Sequence, residues 1–369
     1  MKIALISGDS SLSGAPSHVL QLARALKSRG IEVLVITPPG ALCKFCAVEK
    51  IPCTEVPMQG PFDRKADHKI REILAKFNPD IAHFHGVRGG WLGRLAARKL
   101  PKVKKIYTEH LWTKDYHLNN PAYEQFQLNG LKFMERWTDM TIAVSNAVKD
   151  FLTSRGYDPK KIVVIPNGIG NEFINVNALK KPKGTPYLVG SVGSLNRTKN
   201  YRNAILAIAK IKKDSPELNI FYQIIGEGPE EKRLKKMVER RKLTEIIHFI
   251  SRAENIGERL SHFTIFLNVS LSESFGLAVG EAMAVGLPVV VSNVEGLKTL
   301  VTKDTGIFVD PRKPEGIAKG IMQLINDRPL RLKMGAAAKK RIIDNFSEDK
   351  MIKKTVGVYN KVLKSRGYR

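Results

Sequence analysis

Two glutamates eight residues apart, Glu273 and Glu281, stand in the run Ser270-Leu-Ser-Glu273-Ser-Phe-Gly276-Leu-Ala-Val-Gly280-Glu281. Residues 265–269 read as a strand and a helix begins at Leu277, so Glu273 closes a loop and Glu281 lies on the helix. The backbone amides of Phe275, Gly276 and Leu277 are then first-turn donors without intrahelical acceptors, at the positive end of the helix dipole. Such a helix start binds anions. Carboxylates on either side of it can accept the vicinal hydroxyls of a ribose or a hexose, with phosphates between them, and Gly280 lets a ligand approach the backbone. Taken alone, the two glutamates also fit an amphipathic helix with one capping and one solvated carboxylate. Lys199 follows a glycine turn at a strand end, where a mobile ammonium can neutralise a leaving diphosphate. In so basic a chain the same lysine also fits a solvated surface.

Histidine offers a second kind of chemistry. His110 falls at a strand end, where it can meet a ligand or serve as a hydrogen-bonded loop residue. His18 sits near a helix start and reads as a neighbour of the cap or as packing. His83 and His85 are expected to face opposite sides of one strand end, without enough further ligands for a metal. The three cysteines, Cys43, Cys46 and Cys53, include a Cys-x-x-Cys spacing but lack a fourth thiol. They read as ordinary loop cysteines in a reducing cytoplasm.

The elements that must carry these residues alternate along the chain. Strands are expected at 2–7, 31–36, 81–84, 105–108, 140–144 and 162–165, with amphipathic helices between them. One helix, 18–29, has Val19, Leu22, Ala23 and Leu26 on a single face. Residues 8–17 read as a polar loop, and 171–186 as a linker. A second series follows, with strands at 187–193, 219–225, 248–250, 265–269, 288–292 and 306–308. Strand–helix alternation of this kind makes a parallel sheet covered on both faces. Two such halves place ligands in a cleft, beyond the carboxyl ends of their strands. Residues 40–67 and 112–127 read as variable loops.

Composition narrows the class without choosing the ligand. The chain has 369 residues, 43% hydrophobic and 26% charged, which excludes global disorder and suits two domains. No apolar run is long enough to span a membrane, and the amino terminus lacks the pattern of a signal peptide. The net charge of +26 is spread over both halves and favours anionic partners: nucleic acid, anionic lipid or phosphorylated substrates. Residues 98–105, 231–242 and 350–369 are the basic stretches. Each is a solvated helix face or loop, or alternatively a lipid-docking surface, with Trp91 and Tyr368 as nearby aromatics.

The order of motifs resembles a known family. Glu273-x7-Glu281 leads into Gly286-Leu-Pro288. Before it come Ser13-Gly14-Ala15-Pro16-Ser17-His18-Val19, Asp80-Ile-Ala-His83-Phe-His85-Gly86, Tyr107-Thr-Glu-His110, Ala143-Val-Ser145 and Ile165-Pro-Asn-Gly168. Val192-Gly193-Ser194-Leu195 with Lys199, and then Gly226-Glu-Gly228-Pro229, complete the set. Together they resemble the family 4 retaining nucleotide-sugar glycosyltransferases, the glycosyl transferases of group 1.

The resemblance implies an α/β GT-B fold: two Rossmann-like, doubly wound parallel-sheet domains facing across a cleft. It implies an acceptor-side domain at 1–170 and a donor-side domain at 171–347, with a helix at 348–369 packing back toward the first. It also implies retaining transfer from a nucleoside diphosphate sugar, UDP- or GDP-linked, with no cofactor and no metal. The acceptor would be lipid-linked, a glycan or a small molecule.

Site roles follow from the same resemblance. Glu281 would hold the ribose. Glu273 and the amides of Phe275, Gly276 and Leu277 would hold the sugar. Lys199, with Arg197, would stabilise the diphosphate, Gly14 would face it from its loop, and His110 would contact the transferred sugar. The chain departs from the pattern in three places. Ser194 stands where the family has Arg, with Arg197 as a substitute, Asn200 replaces a glycine, and Ser13 replaces the first glycine of its loop. A cytoplasmic protein, peripheral on the inner face of an anionic membrane, is the expected setting. A nucleotide-sugar epimerase of the same fold is the alternative enzyme. A non-catalytic basic membrane or nucleic-acid binder is the other alternative, and no nucleic-acid module supports it.

Overall fold

The computed structural model describes residues 1–11, 14–179, 184–251 and 255–364. Ser13 and Tyr368 lie outside the described residues. Two compact units divide the chain: residues 1–168 with 348–369, and residues 169–347.

The first unit is built on seven parallel strands: β1 (Lys2–Ser7), β2 (Glu32–Thr37), β3 (Cys53–Glu55), β4 (Ile81–His85), β5 (Lys104–Glu109), β6 (Met140–Ala143) and β7 (Ile162–Val164). Their order in the sheet is β3-β2-β1-β4-β5-β6-β7. Side chains of a strand alternate between faces, and both faces here are apolar. Ile3, Leu5, Val33 and Val35 pack on one side with Leu22, Leu26, Ile352 and Tyr359. Ala4, Ile6, Leu34 and Ile36 pack on the other with Ile70, Leu74 and Leu92. Each fully buried Leu or Ile contributes about 1.5–3 kcal/mol. Helix Arg64–Phe77 shows how such a cover is delimited. The Asp63 side chain accepts from the Ala66 amide at its start, and Asn78 ends it in the left-handed region.

The second unit has six parallel strands: β8 (Tyr187–Val192), β9 (Ile220–Ile225), β10 (Ile247–Ile250), β11 (Ile265–Asn268), β12 (Val289–Ser292) and β13 (Gly306–Val309). They run in the order β10-β9-β8-β11-β12-β13. In each sheet the winding reverses once, between β1 and β4 and between β8 and β11. Segments leaving the carboxyl ends of strands at such a reversal are where α/β sheets bind ligands.

Several expectations need correction. The first long helix is Gly14–Ser28, so it takes in the last four residues of the expected loop at 8–17. Residues 40–67 are not simply a loop: they hold helix Ala41–Val48 and the edge strand β3. Cys43 and Cys53 form a disulfide there, with 5.6 Å between their Cα atoms, and Cys46 is the buried free thiol. The edge pairing of β3 with β2, which sets Cys53 beside Val35, carries that cysteine back to the helix bearing Cys43. The linker contains a short helix, Asn171–Ile174. Trp91 is buried, packed against Phe62 and Phe126. No helix among the described residues is long and apolar enough to cross a membrane.

Candidate active site

Lys199 and Glu273, 74 positions apart in sequence, meet in the second unit at the carboxyl ends of β8 and β11. The Lys199 ammonium lies 2.6 Å from Glu273 Oε1. Two further donors reach the same oxygen, Ser270 Oγ at 2.9 Å and Asn268 Nδ2 at 3.2 Å. Burial pushes the Glu273 carboxyl up, but the Lys199 charge and these hydrogen bonds outweigh it and hold the group below its ordinary value. It is a carboxylate at neutral pH, with Oε2 outside these three bonds.

The surrounding backbone leaves this pair little freedom. Asn196 Oδ1 accepts from the Lys199 amide, and Thr198 O accepts from the Leu271 amide. Asn200, at the usual glycine position, adopts the left-handed region with φ 55°. Its side chain donates to Val269 O and Pro311 O, stitching the loop after β8 to the loop after β11. On the other side, a Cβ at Gly296 would stand 1.9 Å from Glu273 O, so only glycine lets helix Glu295–Leu300 approach that carbonyl so closely.

Helix Leu277–Val285 starts after Gly276, which is left-handed with φ 90°. Its first-turn amides therefore lie four residues or fewer beyond the Glu273 carboxylate along the chain, as the spacing predicts. Glu281 lies on this helix, half-buried, and burial with the nearby Glu172 raises its pKa to about 7. Neutral pH thus divides it between acid and carboxylate. Arg197 is not part of this group: its side chain is 74% exposed and its acidic neighbour is Glu230, at 3.8 Å.

Within the first unit, four histidines converge at the ends of β4 and β5. His83 and His85 share one face, because strand side chains repeat every second residue, which corrects the expectation of opposite faces. Their ring centroids are 4.1 Å apart. His83 Nδ1 hydrogen-bonds the Tyr359 hydroxyl and Nε2 the Thr108 hydroxyl, both at 2.7 Å. His85 Nδ1 lies 3.2 Å from His110 Nε2, and His18 packs edge-on against His110 from helix Gly14–Ser28. Burial lowers the pKa of all four, that of His18 to about 4, so the rings are neutral at pH 7. Gly14 opens the helix that carries His18 and is exposed.

Residues 175–341 match the model of the glycosyl transferases group 1, and residues 12–173 match that of glycosyltransferase family 4. The chain belongs to the family 4, group 1 glycosyltransferases. It is 23% identical over 373 residues to the N-acetyl-alpha-D-glucosaminyl L-malate synthase of Bacillus anthracis, covering 96% of this chain and 95% of that one. It is 28% identical over 348 residues to the alpha-monoglucosyldiacylglycerol synthase of Acholeplasma laidlawii, covering 85% of each. Among solved structures, Anabaena HepE in complex with UDP-glucose superposes with a TM-score of 0.85 at 19% identity, over 98% of this chain and 100% of that one. The two parallel Rossmann-like sheets of the glycosyltransferase are thus those of the GT-B fold.

Some residues around the site were not legible from motif spacing. Asn268 and Ser270 hold Glu273, and their position just before it was the available signal. Asn167, whose side chain meets His18, lies inside the Ile165-Pro-Asn-Gly168 motif without any spacing that ties it to residue 18.

Proposed function

We propose that this glycosyltransferase moves a sugar, with retention of configuration, from a UDP- or GDP-linked donor to a lipid-linked, glycan or small-molecule acceptor in cell-surface glycan or glycolipid synthesis. The observation that carries the reading is the Lys199–Glu273 contact at the carboxyl ends of β8 and β11, beside the first-turn amides of helix Leu277–Val285. Lys199 supplies the positive charge that a departing diphosphate needs. The amides of Phe275, Gly276 and Leu277 add fixed dipoles aimed at the same developing charge. Glu273, held as an anion, accepts sugar hydroxyls through the oxygen that Lys199 leaves open, and Glu281 accepts the ribose hydroxyls.

Lysine and amides together do the electrostatic work of a divalent ion, so the reaction proceeds without metal. No side chain is assigned as a dedicated base: the donor phosphate takes the acceptor's proton in a front-face attack. Arg197, exposed and beside Glu230, adds little to diphosphate binding. The roles of Gly14 and His110 rest on the family resemblance alone. HepE, crystallised with UDP-glucose, supports a UDP-sugar, and the names of the two relatives span a small-molecule and a lipid product. The basic helix Glu231–Arg240 offers a surface for anionic lipid headgroups.

Thermal-shift titration with UDP, GDP and ADP tests the donor site, with Glu281→Gln as the variant. A shift with one nucleotide that strengthens as pH rises through about 7, and loses that pH dependence in E281Q, supports it. The sign follows from the carboxylate, which accepts two hydroxyls where the neutral acid accepts less well. No shift with any of the three in the folded protein refutes the assignment.

A further inference from the structure

We propose that His18, His85 and His110 form a binding site for a divalent transition metal of the Zn2+ class. Each ring offers a nitrogen, and the three nitrogens lie within 4.8 Å of one another. Among the described residues, His18 Nδ1 and His85 Nε2 are buried without a well-formed hydrogen bond, the Asn167 side chain being the polar neighbour of His18. A buried polar atom left without a good hydrogen bond is costly, so two such nitrogens in one cluster call for a ligand. Neutral imidazoles are acceptors, and a single cation satisfies several of them at once. Asn167 Oδ1, on the side chain that meets His18, is likewise buried without a well-formed hydrogen bond among the described residues and can accept from a metal-bound water.

The scaffold is suited to holding metal ligands. His85 is the last residue of β4, His110 follows β5, and His18 lies in the second turn of helix Gly14–Ser28. His83 is excluded as a ligand because both of its nitrogens are already bonded, to Tyr359 and Thr108. It supports the His85 ring from behind instead. Three imidazoles with no carboxylate match the donor set of open tetrahedral zinc sites, which keep one position for water or an anion. One consequence rests on the role assigned to His110 above: an ion held by His110 withdraws that ring from the donor sugar, so metal uptake inhibits transfer.

The test begins with the full chain stripped by chelator. It is titrated with Co2+, following the visible d–d absorption of tetrahedral cobalt, and the cobalt is then displaced by Zn2+ against a chromophoric chelator. Wild type and His68→Gln are expected to bind one ion per chain with a tetrahedral spectrum. His68, exposed and 2.9 Å from Glu72, is the competing surface chelate that the H68Q control removes. His18→Asn and His85→Asn are expected to weaken Zn2+ binding by more than about tenfold. A wild-type protein without a tetrahedral cobalt spectrum overturns the site, whether or not the variants fold. Unchanged affinity in folded H18N and H85N does the same, and so does loss of binding in H68Q. If Zn2+ binds as described but leaves transfer unaffected, the metal site stands and the role of His110 falls.

Discussion

Replacing His18 by Asn should flatten the acid sensitivity of the first unit. Burial lowers the His18 pKa from 6.5 to about 4. Between those two values the unfolded chain takes up a proton that the folded chain refuses. Stability is therefore fully present above the unfolded pKa and is lost as pH falls toward the folded one. At 1.36 kcal/mol per pK unit, this residue alone removes about 3 kcal/mol by pH 4, with a slope of about 1.4 kcal/mol per pH unit. His83, His85 and His110 shift in the same direction, each first by burial and then by charges that include His18. Glu109 opposes them, because its burial raises a carboxyl and makes the fold retain a proton.

Urea unfolding of the chelator-stripped protein, measured at several pH values between 7 and 5, tests this. The three tryptophans, Trp91, Trp112 and Trp137, all lie in the first unit, so their fluorescence reports its unfolding alone. Wild type should lose stability steeply over that range. H18N should lose it less steeply, by up to the slope of one histidine, because the proton that folded His18 refuses over this range is no longer taken up by the unfolded chain. Identical pH slopes in the two proteins would refute the burial argument.

Two further outcomes follow from the geometry. Lys199→Ala should reduce kcat by about 10²–10³, the usual cost of removing one preorganised group that stabilises developing charge, while Lys199→Arg keeps part of the rate. Steady-state kinetics with saturating donor measures both, and equal activity of K199A and wild type would remove Lys199 from the reaction. The Cys43–Cys53 disulfide closes a short loop of sequence separation 10, for which chain-entropy arguments give at most about 3 kcal/mol. Thiol titration of the unfolded, unreduced protein should find one free cysteine, Cys46, and Cys43→Ser should lower the first unit's thermal midpoint. Three titratable thiols in the unreduced protein would refute the pairing.

Much of the fold was legible because its signal is local. A strand buried on both faces is a short apolar run, and a covering helix repeats its apolar residues every three or four positions. Both patterns stand within a dozen residues, as in Lys2–Ser7 followed by Val19, Leu22 and Leu26. The placing of Glu273 on a loop and Glu281 on the following helix was legible for the same reason, since strand Ile265–Asn268 and helix Leu277–Val285 are both local patterns. The edge strand β3 escaped because three residues are too few to show a period and its pairing is decided by β2. By position Arg197 reads as a substitute for the arginine missing at Ser194, but the loop contacts turn its side chain to Glu230 and that of Lys199 to Glu273.

Sequence alone therefore determined the alternation of elements, the two parallel sheets and the carboxyl-end loops on which Lys199 and Glu273 lie. Tertiary structure decided which distant side chains meet: Lys199 with Glu273, Cys43 with Cys53, and His18 with His85 and His110. The physical reason is range. Hydrophobic periodicity is written into neighbouring residues, whereas the register of β4 against β5 and the closing of one loop on another depend on packing across the whole sheet, and on that register rest both the partners and the pKa of each buried group.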